Sequence, residues 1–441
     1  MPFELTPHKL VFGGKALGYH EGRPVLVSHA LPGERLEVEP VRTAKGVVHA
    51  RIVRVIEPSP QRVIPPCPYF GRCGGCQYQH LSPEQQGAAK REILRETLRR
   101  IGKINWSGEI RMHAAHPWHY RNQAQLKVAR QPDGHVDLGF FEAESHRLFP
   151  VDACLILSPR LNAILKTLRE PEWSARLGEC EEVEMLADDR DEQVMLTLRG
   201  RLQPKEAKAL AGDCLSQLPG VAVVALEQGR NWRVFGAPTL YYAVGEFQYE
   251  VSPGSFFQAS RFLLPELAGS ATAEESDGAK ESSPSVAALA DRRALALDLF
   301  AGVGLFTMPL AKRFERVIAV EANARAAGDL EANARACRLQ NVRVVTQTVL
   351  DFLRRFAQAE PSLVVLDPPR AGAGIGTLKS LAALRPRRFH YVACSPPTLA
   401  RDLALLVARG YQLNSVELFD FFPQTYHVEC LAKLTRIDRP A

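Results

Sequence analysis

The chain has 441 residues, 46% of them hydrophobic and 24% charged, with a formal net charge of +6. That length suits two or three domains of roughly 100–200 residues, and the composition excludes a disordered or fibrous chain. No apolar run approaches the roughly 20 residues of a membrane-spanning helix, and Met1-Pro2-Phe3-Glu4-Leu5-Thr6-Pro7 lacks the basic start and apolar stretch of a signal peptide, so a cytoplasmic chain with no membrane partner is expected.

Residues 1–60 hold strand candidates at 10–12, 24–27, 35–38 and 49–56, punctuated by Gly13-Gly14, Gly18, Gly22, Pro32-Gly33 and Lys45-Gly46. Short strands so closely spaced suggest a small β-barrel, an architecture that often binds oligonucleotides. A plain packing module fits these residues equally well.

Three of the nine cysteines, Cys67, Cys73 and Cys76, fall within ten residues. In a reducing compartment such a group points to a metal site rather than a disulfide. Five and two intervening residues separate them, whereas zinc sites more often use cysteines two to four apart. Four thiolates can hold an iron–sulfur cluster, and Gly74-Gly75 lets the backbone turn tightly around it. Cys154 is the candidate fourth ligand, and zinc is the competing reading. Cys180, Cys214, Cys337 and Cys430 read as ordinary buried cysteines.

A helix is predicted over 83–101. Ser82 and Gln85 form a capping-box pattern around Pro83, Ile93, Leu94, Leu98 and Ile101 recur at helical spacing, and Gly102 ends the run. Lys90, Arg91, Arg95, Arg99 and Arg100 form its other face, read as solvated, with RNA phosphates as the alternative partner. Residues 105–250 read as α+β, with strands at 125–128, 182–186 and 194–198. The Ala-, Ser-, Glu- and Asp-rich stretch 269–293 reads as a loop or disordered insert. From Ala294 onward, apolar strands at 294–300, 316–321, 342–345, 363–367 and 389–394 alternate with helical runs. That pattern predicts a parallel sheet covered on both faces.

The segment from Asp298 to Phe306 places Gly302 and Gly304 in a turn between a strand and a helix, where glycine allows a ligand to approach the backbone. Glu321 ends the next strand and can accept hydrogen bonds from ribose hydroxyls. Asp367-Pro368-Pro369-Arg370 closes a later strand and resembles the Asp-Pro-Pro loop of S-adenosylmethionine-dependent nucleic-acid methyltransferases. Enzymes of that kind that methylate an exocyclic amine usually follow it with an aromatic residue, and Arg370 is not aromatic. The next strand ends in Cys394, at the same sheet edge, and Glu429 opens the last strand. This pair suits methylation of uracil at carbon 5. A thiolate adding to carbon 6 makes carbon 5 nucleophilic, and a positioned base then removes the proton left on carbon 5. Cytosine-5 methylation of RNA usually shows a cysteine beside the motif proline, which Asp367-Pro368-Pro369 lacks.

Together, Ser255-Phe256-Phe257-Gln258, the glycine turn, Asp367-Pro368-Pro369-Arg370, the Cys394 segment and His427-Val428-Glu429 resemble the RNA uracil-5-methyltransferase family over nearly the whole chain. The resemblance implies Cys394 as nucleophile and Glu429 as base, with Gln258, Phe300, Gly302, Glu321 and Asp367 meeting S-adenosyl-L-methionine or the target base. It also implies a [4Fe–4S] cluster on Cys67, Cys73, Cys76 and Cys154. The implied fold is multidomain: an OB-like β-barrel of the TRAM type over 1–60, a central α+β domain with the cluster over 61–250, and a Rossmann-like α/β methyltransferase domain over 251–441. Helix 83–101 would pack on the last, which carries the mobile insert near 269–293. Bacterial members with the cluster typically act on 23S ribosomal RNA, so a monomer acting on that RNA is expected. The T-loop uridine of tRNA is the alternative substrate, and an inactive RNA-binding iron–sulfur protein is the alternative of another class. Two positions depart from the family: Leu305 where many members have Asn, and Ser395 where Asn usually follows the cysteine.

Overall fold

A computed structural model describes residues 1–132, 134, 136–229, 231–273, 294–356 and 360–437. The first six strands form one sheet in the order Phe3–Leu5, Arg35–Ala44, Val47–Glu57, Arg23–Ser28, Lys15–His20, Lys9–Val11. Leu5, Val25, Val27, Leu36 and Val38 make its separate small core. Lys15–His20 escapes a sequence reading because Gly18, a residue poor in strands, stands within it. A Cβ at that position would lie 2.9 Å from Leu5 Cδ1, so glycine here is what admits Leu5 to the core.

A seven-stranded sheet follows, ordered Leu148–Pro150, Val136–Phe141, Gln123–Arg130, Cys180–Ala187, Val194–Gly200, Val221–Gln228, Asn231–Gly236. The expected strands at 125–128, 182–186 and 194–198 lie inside three of these. Helices Pro159–Leu168 and Pro204–Gln217 cover one face, packing Leu161, Leu165 and Leu210 with Val183, Leu196 and Val224.

The third large sheet has eight strands, ordered Val342–Thr346, Arg316–Glu321, Leu295–Leu299, Leu363–Leu366, Arg388–Ala393, Glu429–Arg436, Tyr411–Asp420, Ile110–Ala114. The five strands read from sequence are parallel, as their near-continuous apolar runs require. Glu429–Arg436, by contrast, is antiparallel to both its neighbours. The last edge strand comes from far earlier in the chain, Ile110–Ala114 pairing parallel with Tyr411–Asp420. Helix Pro83–Arg100 joins the same unit, with Leu94 and Leu98 sharing a core with Leu399 and Leu403. Residues 110–114, which the sequence reading groups with the central segment, thus supply the last strand of the C-terminal sheet.

Lys90 departs from its expected solvated face. Gln86, Lys90, Leu94 and Leu98 recur every four residues, so they form one stripe along the helix, and all four are buried. Lys90 Nζ donates to Asp420 Oδ1 at 2.7 Å and to the Phe422 carbonyl at 3.1 Å. The insert read over 269–293 lies mostly outside the described residues, and its first residues continue helix Leu264–Thr272. No helix among the described residues is long and apolar enough to cross a membrane.

Replacing one member of a buried ion pair leaves its partner charged and unpaired, at a cost of roughly 3–5 kcal/mol. Lys90→Met should therefore lower the urea midpoint sharply, and adding Asp420→Leu should restore most of the loss.

Candidate active site

Strand register builds the site. Ala393 pairs with Cys430 in the antiparallel ladder, so Cys394 comes level with Glu429 across the strand ends. Residues opposed in this way sit roughly 4.5–5.5 Å apart at Cα. Asp367 follows Leu366, the partner of Tyr391, and its N–H donates to the Leu299 carbonyl at 3.3 Å. Cys394, Glu429, Asp367 and the turn after Leu299 therefore share one sheet edge.

These groups crowd negative charge into a dry place. Cys394 is partly buried, and its thiol is pushed up to about 11, first by burial and then by the Glu429 and Asp367 carboxylates. Burial also raises Glu429 far above the carboxylate range, with Asp367 adding to the effect. Asp367 is raised by its own enclosure. Glu429 Oε1 has no hydrogen-bond partner among the described residues. The opposing charge is Arg370, whose guanidinium draws both Cys394 and Glu429 toward their ionised forms. Arg370 Nη2 also lies 3.5 Å from His427 Nδ1, and burial and Arg370 lower that imidazole to about 4, keeping it neutral at pH 7.

The sequence reading used Arg370 only to exclude amine methylation and gave His427 no role. The signal for Arg370 was its place, three residues past Asp367 on a strand-end loop. That loop is tightly held. Ala373 N–H reaches Tyr391 Oη at 3.1 Å and Asp402 Oδ2 at 3.2 Å, while Arg401 Nη2 holds the Ala371 carbonyl at 2.9 Å. Thr398 Oγ1 donates to the Arg370 carbonyl at 3.0 Å and lies 3.0 Å from Ser395 Oγ. Ser395, one of the two departures, thus helps tether the arginine loop.

The chain before Glu429 is braced from the other side. Gln424, at φ +69°, exchanges two hydrogen bonds with Gln86: its N–H to Gln86 Oε1 at 2.8 Å, and Gln86 Nε2 to its Oε1 at 2.9 Å. The Gln77 and Tyr78 N–H groups both donate to its carbonyl at 2.9 Å. Nothing local to Gln86 in the sequence announces this contact, since its partner is 338 residues away.

The glycine turn has left-handed backbone at Phe300, Gly302 and Gly304, with φ of +63°, +54° and +100°. A Cβ at Gly302 would meet nothing within 4 Å, so the turn leaves room for a ligand. Glu321 accepts from Gly302 N–H at 2.9 Å and from Asn323 N–H at 2.7 Å. Its carboxylate has further lone pairs for ligand hydroxyls. Gln258 is buried at the end of a segment that Asp329 fastens to helix Ala324–Ala336, through Ser252 Oγ and Ser255 Oγ at 2.6 Å each. The structure forms no hydrogen bond between Gln258 and the other site residues. Leu305 lies in the apolar core, and its carbonyl accepts from Tyr249 Oη at 3.1 Å. Its side chain makes no polar contact where Asn could.

Away from this edge, Cys67, Cys73, Cys76 and Cys154 line a single cavity of about 740 Å³. All four are free thiols. Burial pushes Cys73 up to about 11 and Cys76 to about 12, with the neighbouring cysteines adding to both. A single zinc ion needs its thiolates roughly 2.3 Å from one point. Among the described residues no three His, Cys, Asp or Glu side chains converge in that way. Four thiols are a donor set that zinc and an iron–sulfur cluster both accept. Cys180, Cys214 and Cys430 are buried as read from sequence, whereas Cys337, at the C-cap of its helix, is only partly so.

Comparison with known proteins gives a consistent picture. A family model described as tRNA (uracil-5-)-methyltransferase matches residues 284–437. An uncharacterised RNA methyltransferase of Aquifex aeolicus is 33% identical, covering 98% of each chain. The 23S rRNA (uracil(1939)-C(5))-methyltransferase of Pectobacterium atrosepticum is 33% identical over 95% of this chain and 90% of its own. Among solved structures, the Pyrococcus abyssi tRNA (uracil-54, C5)-methyltransferase, in complex with S-adenosyl-L-homocysteine, shares the fold. It superposes with a TM-score of 0.72 at 22% identity, covering 99% of this chain and 100% of that one.

The geometry fixes the sign of one pH effect. Below about pH 11 the thiolate fraction of Cys394 climbs roughly tenfold per pH unit. Because Arg370 lowers that pKa, Arg370→Gln should raise it. Mass-spectrometric measurement at pH 9 should then find slower alkylation of Cys394, and an unchanged rate would separate the arginine from the thiol.

Proposed function

Because the chain belongs to the S-adenosylmethionine-dependent RNA uracil-5-methyltransferase family, we propose that it methylates carbon 5 of a uridine in 23S ribosomal RNA. The observation that carries the mechanism is the ladder register, Ala393 against Cys430, that brings Cys394 level with Glu429, with the Arg370 charge acting on both.

Bound S-adenosylmethionine supplies an electrophilic methyl group. Carbon 5 of uracil is too weak a nucleophile to take it unaided. Cys394, once deprotonated, adds its sulfur to carbon 6, and the displaced electron pair moves onto the ring carbonyl as an enolate. Carbon 5 then forms its bond to the methyl carbon as the sulfonium bond breaks. Glu429 removes the proton from carbon 5, the ring double bond re-forms and the sulfur leaves carbon 6. Arg370 favours the charged form of both groups, offsetting the crowding from Asp367. His427 stays neutral beside it. The open glycine turn and Glu321 suit the nucleoside end of the donor, and Asp367, at the next strand end, faces either donor or base.

Two further assignments belong to this reading. The ribosomal substrate rests on the full-length likeness to the Pectobacterium enzyme, and uracil 1939, carried in that enzyme's name, is the first position to map. The N-terminal six-stranded sheet is read as the RNA-binding TRAM module. Cys67, Cys73, Cys76 and Cys154 would hold a [4Fe–4S] cluster with a structural role, since the methyl transfer needs no electron transfer.

Cys394→Ala should lower methyl transfer more than roughly 10³-fold while S-adenosylmethionine still binds in a calorimetric titration. Glu429→Gln should accumulate a covalent RNA–protein adduct, seen as a retarded band on a denaturing gel; a folded variant with no adduct would remove Glu429 from the role of base. Mass-spectrometric mapping in a deletion strain should lose 5-methyluridine from 23S RNA, and loss from the tRNA T-loop instead would move the substrate. Protein prepared anaerobically should contain about four iron atoms per chain, falling on Cys76→Ser.

A further inference from the structure

A second cavity, of about 610 Å³, opens at the opposite edge of the eight-stranded sheet. It lies where the outer strands begin, beside edge strand Val342–Thr346 and under helix Val349–Arg355. Its floor is apolar, from Leu295, Val317, Ile318 and Phe352. Its mouth carries the exposed Arg316, Arg343 and Arg355. Its lining runs along the edge strand to Gln347, whose N–H donates to the Glu321 carbonyl at 3.1 Å, while Arg316 and Arg343 stand at the strand beginnings, away from the ends that carry the reacting groups.

The charges at this mouth are unbalanced. Among the described residues no acidic side chain lines the cavity. Among the described residues none of the three guanidinium groups has an ion-pair partner, whereas nearby Arg354 pairs with Asp351, and Arg385 and Arg436 pair with Glu360. Three permanently charged forks around one pocket, of which Arg355 also acts on the Asp351 carboxylate, suit phosphate oxygens, and the amides of Gln340 and Gln347 add neutral hydrogen-bonding groups. An RNA substrate larger than its target loop presents such phosphates beyond the crevice.

We propose that the Arg316–Arg343–Arg355 cavity is a second RNA-docking site, holding the sugar–phosphate backbone of a substrate segment remote from the methylated uridine. This rests on the RNA methyltransferase reading above. The site adds affinity for long substrates and takes no part in chemistry.

The test compares wild type with the triple variant R316Q/R343Q/R355Q on a long 23S rRNA fragment and on a short stem-loop carrying the target uridine. Fluorescence anisotropy on the long RNA should show affinity falling about tenfold or more, and the slope of log affinity against log salt shrinking by roughly 2–3. In methylation assays KM should rise on the long RNA alone, with kcat on both RNAs and KM on the short one unchanged. Lysine at all three positions should keep most of the salt slope. Unchanged affinity and salt slope on the long RNA would overturn the proposal, as would an equal loss on both RNAs. If wild type methylates neither RNA, the functional reading fails, and the anisotropy still decides the docking site.

Discussion

The pairing of Glu429–Arg436 against Arg388–Ala393 is the contact on which the site depends. In a wholly parallel sheet every strand would leave by the same edge, and a final strand would begin at the wrong end. Running this one backwards brings its first residue, Glu429, to the edge where Cys394 leaves. The register then makes the two neighbours. A slip of one residue would turn Glu429 to the other face of the sheet. Backbone hydrogen bonds of a central ladder thus hold the two groups, and their spacing does not rely on a flexible loop.

Such proximity has an electrostatic cost. Two carboxyls and a thiol share an enclosed space, and burial alone disfavours charge on each of them. One guanidinium answers them, so its position matters as much as theirs. The Tyr391, Asp402 and Arg401 contacts that fasten its loop are therefore part of the site's electrostatics. Preorganised charge of this kind needs no rearrangement when a reacting group arrives.

Much of this was legible in the sequence. The five parallel strands, the glycine turn, Glu321, Asp367, Cys394 and Glu429 announce themselves because apolar runs end in polar residues at sheet edges, a local pattern. Four cysteines spread over 67–154 also meet around one cavity. What stayed hidden depends on distant partners. Lys90 looked like one more solvated cation because Asp420 is 330 residues away. Ile110–Ala114 is a short, half-polar strand whose only claim to a sheet is its partner, Tyr411–Asp420. Arg370 was visible as a residue, yet its role is set by what stands across from it.

That distant pairing bears on how the molecule is made. Helix Pro83–Arg100 and strand Ile110–Ala114 leave the ribosome some three hundred residues before their partners. At about 5–20 residues per second, they wait many seconds with one apolar stripe uncovered. The sheet edge that carries Cys394 and Glu429 is complete only when the last strands arrive and the early segment docks against them. Half-synthesised chains therefore have no working crevice, and a fragment beginning at residue 251 would lack its outer strand and the brace behind Gln424.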